Sequence, residues 1–181
     1  MEFKEFLEKS RTTAEYPNVG SNELYAVTGL FGEMGELLNK LKKLMRADLS
    51  EPTPELAEAI KNELGDVLWY IGALGYEKEY WMLTDGKIDV TDVPSIEGVA
   101  LPSERKSTEA IVIAWINLLG ILHMAMGVGQ KEIIKNVIIS VLAVATVTAT
   151  YCNSTLSDVL DYNIAKLSAR QTKGQIKNLG C

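Results

Sequence analysis

The chain has 181 residues, 47% of them apolar and 23% charged, with a formal net charge of −6. That is the size and composition of one globular domain with a sizeable core. The charge excludes a nonspecific nucleic-acid binder, which needs a basic surface; it leaves open a nucleotide substrate, because a bound metal inverts the local charge.

The N-terminal stretch "MEFKEFLEKS" is charged and amphipathic and lacks the apolar core of a signal peptide. Its pattern predicts a first helix over about 2–14, ending near Pro17-Asn18. Ser21 or Asn22 then caps a second helix that runs to about Arg46. Its apolar stripe is Val27, Leu30, Phe31, Met34, Leu37, Leu38, Leu41 and Leu44. Thr53 caps a third helix with Pro54 at its first position, and the helix runs to about Met82.

Between Thr84 and Ser103 the composition changes to short apolar runs broken by glycine and proline. A long loop, 84–105, or a small hairpin is expected there, and loops of that length are commonly functional or mobile. Two apolar segments follow, about 106–127 and 130–151. Ile111 to Val128 is uncharged over 18 residues, which is borderline for a membrane span. Asn117 and His123 lie inside it without a flanking basic cluster, so a buried helix is expected, with His123 a satisfied core histidine. The second segment is rich in β-branched residues, yet its length favours a helix over a strand. A last helix is expected from a cap at Thr155, with Asp158 at capping-box spacing, to about Arg170. The tail, 172–181, should be loosely held. Cys152 and Cys181 form no metal spacing, so reduced thiols in a cytoplasmic protein are expected. A faint internal repeat overlays 61–76 on 135–150, which sets Glu63 on Val137 and Asp66 on Ser140.

Four acids stand out. Glu33 and Glu36 are three apart on the second helix, and Glu63 and Asp66 are three apart on the third. At 3.6 residues per turn, each pair lies at the edge of its apolar stripe. Like charges at that spacing repel. Only Glu36 has a cation three or four residues away, Lys40. On an antiparallel helix pair the two acidic pairs would face each other. Four carboxylates partly out of water call for something positive between them, and oxygen ligands select a hard cation, Mg²⁺ or Mn²⁺. With a single histidine and no cysteine pair, zinc is not expected. The plain alternative is a polar flank of two amphipathic helices, satisfied by lysines from elsewhere in the chain. Gly32 and Gly35, poor helix formers, would let another helix or a ligand come close.

"GLFGEMGELLNKLKK" followed by "ELGDVLWYIGAL" resembles the MazG-like all-α nucleotide pyrophosphohydrolases, whose pattern is E-x-x-E on one helix and E-x-x-D on the next. Glu33, Glu36, Glu63 and Asp66 match it in order and type. "NIAKLSAR" resembles the family's closing N-x-x-K segment through Asn163 and Lys166. The middle, 83–150, departs from the compact family domain, either as an insertion or as a degenerate second unit like that of the dUTPases and dCTPases. The resemblance implies one domain over 1–171: an antiparallel helix bundle with the loop and an extra helical pair, 106–151, inserted before the last helix.

It also implies Mg²⁺-dependent hydrolysis of nucleoside triphosphates between the α- and β-phosphates, with Mn²⁺ a possible substitute. Glu33, Glu36, Glu63 and Asp66 would hold the metal, and Glu36 or Glu33 would orient or deprotonate the attacking water. Asn163, Lys166, Arg170 and Lys43 would meet the phosphates. Tyr70, with Trp69, would border the base. A homo-oligomer, dimer or tetramer, is expected, because two nearly charge-free helices are costly to expose; neither a nucleic-acid polymer nor a membrane is an expected partner. The alternatives are a specialised dUTPase-, dCTPase- or phosphoribosyl-ATP pyrophosphohydrolase-like enzyme, and a non-catalytic helical interaction protein.

Overall fold

The computed structural model describes residues 1–47, 51–78, 107–128 and 131–174. All regular structure in them is helical: α1 (Phe3–Thr12), α2 (Glu23–Ala47), α3 (Pro54–Glu77), α4 (Ser107–Val128), α5 (Lys131–Tyr151) and α6 (Leu156–Thr172). The expected loop over 84–105 and most of the tail lie outside the described residues.

The helix ends follow the capping chemistry. Asn22 Oδ1 accepts from the Tyr25 N–H at 3.1 Å, opening α2. Thr53 Oγ1 accepts from the Leu56 N–H at 3.3 Å, with Pro54 where no donor is needed. Thr155 and Asp158 close a reciprocal capping box at the start of α6. In α5, Thr146, Thr148 and Thr150 donate their hydroxyls back to the carbonyls of Leu142, Val144 and Thr146. Those bonds satisfy the hydroxyls within the helix, and a β-branched run is carried as a helix by its packing.

Two helical hairpins form the bundle. α2 packs along α3 and α4 along α5; α4 then lies on α2, and α5 on α3 and α6. α1 and α6 close the other side of α3 and touch each other. Leu30, Met34, Leu37, Leu41 and Leu44 of α2 are buried against Ile60, Leu64, Val67, Ile71 and Leu74 of α3. Each fully buried side chain of this kind contributes about 1.5–3 kcal/mol. Trp115 is buried in the shared core, and its indole N–H ties α4 to α5 by donating to Thr148 Oγ1 at 3.1 Å. Cys152 is buried, and burial pushes its thiol up to about 11, which leaves it protonated at neutral pH.

Two expectations are corrected. Phe31 is not a core residue: it is 39% exposed, its ring edge-on to His123 at 5.8 Å. His123 is likewise exposed and not buried in a core. The reason is shared: α4 lies across one shoulder of α2 and turns Thr108, Ala110, Ile111, Trp115 and Leu122 inward, leaving Ile116, Ile121 and Met124 on the outside. Among the described residues no single helix is long and apolar enough to cross a membrane. Asn136–Tyr151 and Leu156–Thr172 are long and apolar enough only together, and they are bent by 91° at the break between them.

Candidate metal centre and adjoining cleft

Helical periodicity sets α2's acids against α3's. Glu33, Glu36 and Glu63 each offer a carboxylate oxygen, and these oxygens all lie within 4.8 Å of one another. Glu63 is buried, Glu33 half-buried and Glu36 exposed. Burial, then the charges of Asp66, Glu36 and Glu63, push the Glu33 carboxyl up to about 7, with Lys166 opposing. Burial is the larger cause, and the three neighbouring acids add to it.

The fourth acid is placed differently. Both oxygens of Asp66 lie 2.7 Å from Lys166 Nζ, and Asn163 Nδ2 donates to Oδ1 at 2.8 Å. Lys166 also donates to Asn62 Oδ1 at 2.8 Å. The expected set of four thus appears as three converging acids with Asp66 beside them, engaged by α6. Lys40 does not serve Glu36, its neighbour one turn away; it crosses to Glu63 at 3.2 Å. The scarcity of cations seen along each helix is therefore relieved across helices, for Glu63 and Asp66. Glu33 and Glu36 have no ion pair among the described residues.

α6 reaches Asp66 because Gly65 leaves room for it. A Cβ at Gly65 would come within 2.9 Å of Asn163 Cβ. Asn163 is 0% exposed, and its Oδ1 has no hydrogen-bond partner among the described residues.

A cleft of ≈ 180 Å³ opens beside the acids, with Glu33 and Asp66 in its lining. Aromatic rings make much of the rest. Tyr16 stacks on Tyr25 with centroids 4.5 Å apart and planes at 13°; Trp69 meets Tyr70 edge-on at 4.9 Å and Tyr16 edge-on at 6.2 Å. Trp69 Nε1 donates to Thr13 Oγ1 at 2.9 Å. Burial first, then the neighbouring Tyr25, Glu33 and Asp66, raises the Tyr70 hydroxyl well above its usual range, so it stays protonated. Tyr70 fits against α2 only because residue 29 is glycine: a Cβ there would lie 2.0 Å from its ring.

Of the other candidates, Arg170 lines the cleft and is exposed. Lys43 is exposed on α2 and is not part of that lining. Trp69 and Tyr70 both line it. Sequence reasoning missed Thr13, Glu15, Tyr16 and Tyr25, which line the cleft from the α1–α2 connection and the start of α2. The available signal was two tyrosines flanking "PNVGSN", a stretch in which Asn18 and Gly20 adopt φ of 57° and 98°. Asn62, which helps hold Lys166, was missed too.

No protein-family model matches the chain, and no solved structure matches it. A curated protein does: the "Gene 37 protein" of Mycobacterium phage L5, 38% identical over 77 residues, which span 40% of this chain and 68% of that protein. At that identity and coverage, the chain belongs to the family of the phage L5 Gene 37 protein.

Proposed function

We propose that the protein is a MazG-like, Mg²⁺-dependent nucleoside triphosphate pyrophosphohydrolase, cleaving between the α- and β-phosphates. The observation that carries this reading is the convergence of Glu33, Glu36 and Glu63 beside an aromatic-lined cleft. A flat π-system joined to a polyanion needs such a pair of neighbouring surfaces, one for each end.

The residues fit a hard divalent cation. The donors are all carboxylate oxygens, and the charges of Asp66, Glu36 and Glu63 add to burial in holding the Glu33 carboxyl up. Such a cation, held by Glu33, Glu36 and Glu63, would neutralise phosphate oxygens and so favour attack at phosphorus. Asp66 joins that set only by giving up Lys166, which would then be free to meet a phosphate. Arg170, at the cleft, supplies a second cation to the departing pyrophosphate. Glu36, the exposed acid, orients the attacking water, and Glu36 or Glu33 takes its proton. The water oxygen bonds to the α-phosphorus, the bond to the bridging oxygen breaks, and pyrophosphate leaves with that oxygen. Tyr70 and Trp69 border the base. The work is mainly positioning and charge stabilisation, as phosphoryl chemistry requires. The exposed Ile116, Ile121 and Met124 on α4 support a homo-oligomer that covers them.

Lys40 on Glu63 and Lys166 on Asp66 favour a second reading, a non-catalytic helical interaction protein whose acids are internally paired. Substitution separates the two. Under Mg²⁺ with a panel of NTPs and dNTPs, Glu36→Gln and Glu63→Gln each abolish turnover while the far-ultraviolet circular dichroism spectrum stays that of the parent. Full activity in either variant would sink the metal-site assignment. No turnover by the parent protein under Mg²⁺ or Mn²⁺ would leave the interaction protein.

A further inference from the structure

Glu77 is the last residue of α3, with no basic residue in that helix's last turn. A carboxylate at that end opposes the helix dipole. Its side chain is also 0% exposed, and a buried charge is costly unless it is well bonded. Two penalties at one residue call for a reason, and the bonding supplies it. Glu77 Oε1 accepts from the Tyr16 hydroxyl at 2.6 Å and from the Gly20 N–H at 2.8 Å. Oε2 accepts from the Asn22 N–H at 2.6 Å, at the N-terminus of α2, where a negative charge is favoured. Arg11 stands 3.5 Å from Oε1. Burial alone would raise this carboxyl; the bonds from Tyr16, Gly20 and Asn22 and the charge of Arg11 together hold it below its ordinary value.

Three of these donors come from one short stretch, Tyr16 to Asn22, whose ring at Tyr16 stacks on Tyr25 and meets the edge of Trp69. All three rings line the cleft. Glu77 itself is not in that lining. It grips the connection from the end of α3 and so fixes where the aromatic wall stands.

We propose that Glu77 is a positioning residue that sets the aromatic wall of the cleft through the Tyr16 hydroxyl and the backbone of Gly20 and Asn22. The proposal rests on the nucleotide reading only for what the cleft binds; the positioning is a property of the protein alone. Gln at 77 keeps the size and the acceptor for Tyr16 and Gly20, but it turns an NH₂ toward the Asn22 N–H. Tyr16→Phe removes a single donor and leaves the ring.

The experiment uses the ¹⁵N-labelled full chain and follows the indole N–H signals of Trp69, bonded to Thr13 at the wall, and of Trp115, bonded to Thr148 in the other hairpin. Glu77→Gln and Tyr16→Phe shift the Trp69 signal and leave that of Trp115 in place. In parallel, each variant binds a non-hydrolysable α,β-methylene nucleoside triphosphate about tenfold more weakly with Mn²⁺ present, while inorganic triphosphate, which has no base, binds as to the parent. An unmoved Trp69 signal in both variants overturns the proposal. So does an equal movement of Trp115 with a matching loss of triphosphate binding, which would mean general loosening. Failure of the parent to bind the nucleotide analogue counts against the nucleotide reading, and the indole comparison still decides the positioning.

Discussion

At Glu33 the sign of the pH dependence can be worked out. Its carboxyl lies at about 7, above the ordinary 4.5, so the fold favours the protonated form. The stabilisation this brings is present below 4.5 and is lost as pH rises through about 7. A metal needs the ionised form, so binding must displace that proton. Mn²⁺ affinity, followed by titration calorimetry, is expected to rise about tenfold from pH 6 to pH 8, with proton release at the lower pH. A flat profile would contradict the placing of Glu33 at the metal. Two glycines of α2 give opposite expectations. At Gly29 a Cβ would meet the Tyr70 ring at 2.0 Å. Overpacking there costs about 1–3 kcal/mol, more than the ~1 kcal/mol of helix propensity that alanine brings. At Gly32 nothing lies within 4 Å, so only the propensity remains. Urea unfolding should therefore find Gly29→Ala destabilised and Gly32→Ala stabilised by about 0.5–1 kcal/mol. Among the described residues no other helix comes close to Gly32 or Gly35, which leaves a ligand as the other expectation for that space.

At the scale of elements, α6 is held to α3 where Gly65 admits Asn163. Asn163 is wholly buried and cannot swing aside, so a Cβ 2.9 Å away forces the two helices apart. Gly65→Ala is expected to cost about 1–3 kcal/mol in urea unfolding, and full stability would show that α6 can slide to make room. The helices themselves were legible because their signals are local: Asn22, Thr53 with Pro54, and Thr155 with Asp158 mark ends that a chain shows without its tertiary structure. The pairing of the acids was legible too, since a spacing of three on two consecutive helices fixes which faces carry charge. What their counter-ions would be was not. Lys40 faces Glu36 in sequence and Glu63 in space, and Lys166 reaches Asp66 from α6, roughly a hundred residues on. The aromatic wall was half legible: Trp69 and Tyr70 stand beside the acids on α3, whereas Tyr16 and Tyr25 enter through a connection whose path depends on Glu77. Phe31 was misjudged because its helical phase puts it on the stripe's edge, and only the position of α4 decides which side of that edge is covered.

For the molecule as a whole, two hairpins share one core, and the acids sit on the one built from α2 and α3. In the overlay of α5 on α3, Val137 is buried where α3 has Glu63, and Ser140 bonds its own helix's Asn136 carbonyl where α3 has Asp66. The described part of the second hairpin thus adds apolar surface and no second acidic cluster. Among the described residues the acidic cluster and the aromatic-lined cleft lie side by side on the first hairpin, as the proposed step on a small polyanion requires. The central claim is tested most directly by ³¹P NMR of the products formed from NTPs and dNTPs with Mg²⁺. The account predicts a nucleoside monophosphate and pyrophosphate in equal amounts, with no turnover when the metal is chelated. Orthophosphate and a diphosphate as products, or unchanged triphosphate under every divalent metal, would contradict it.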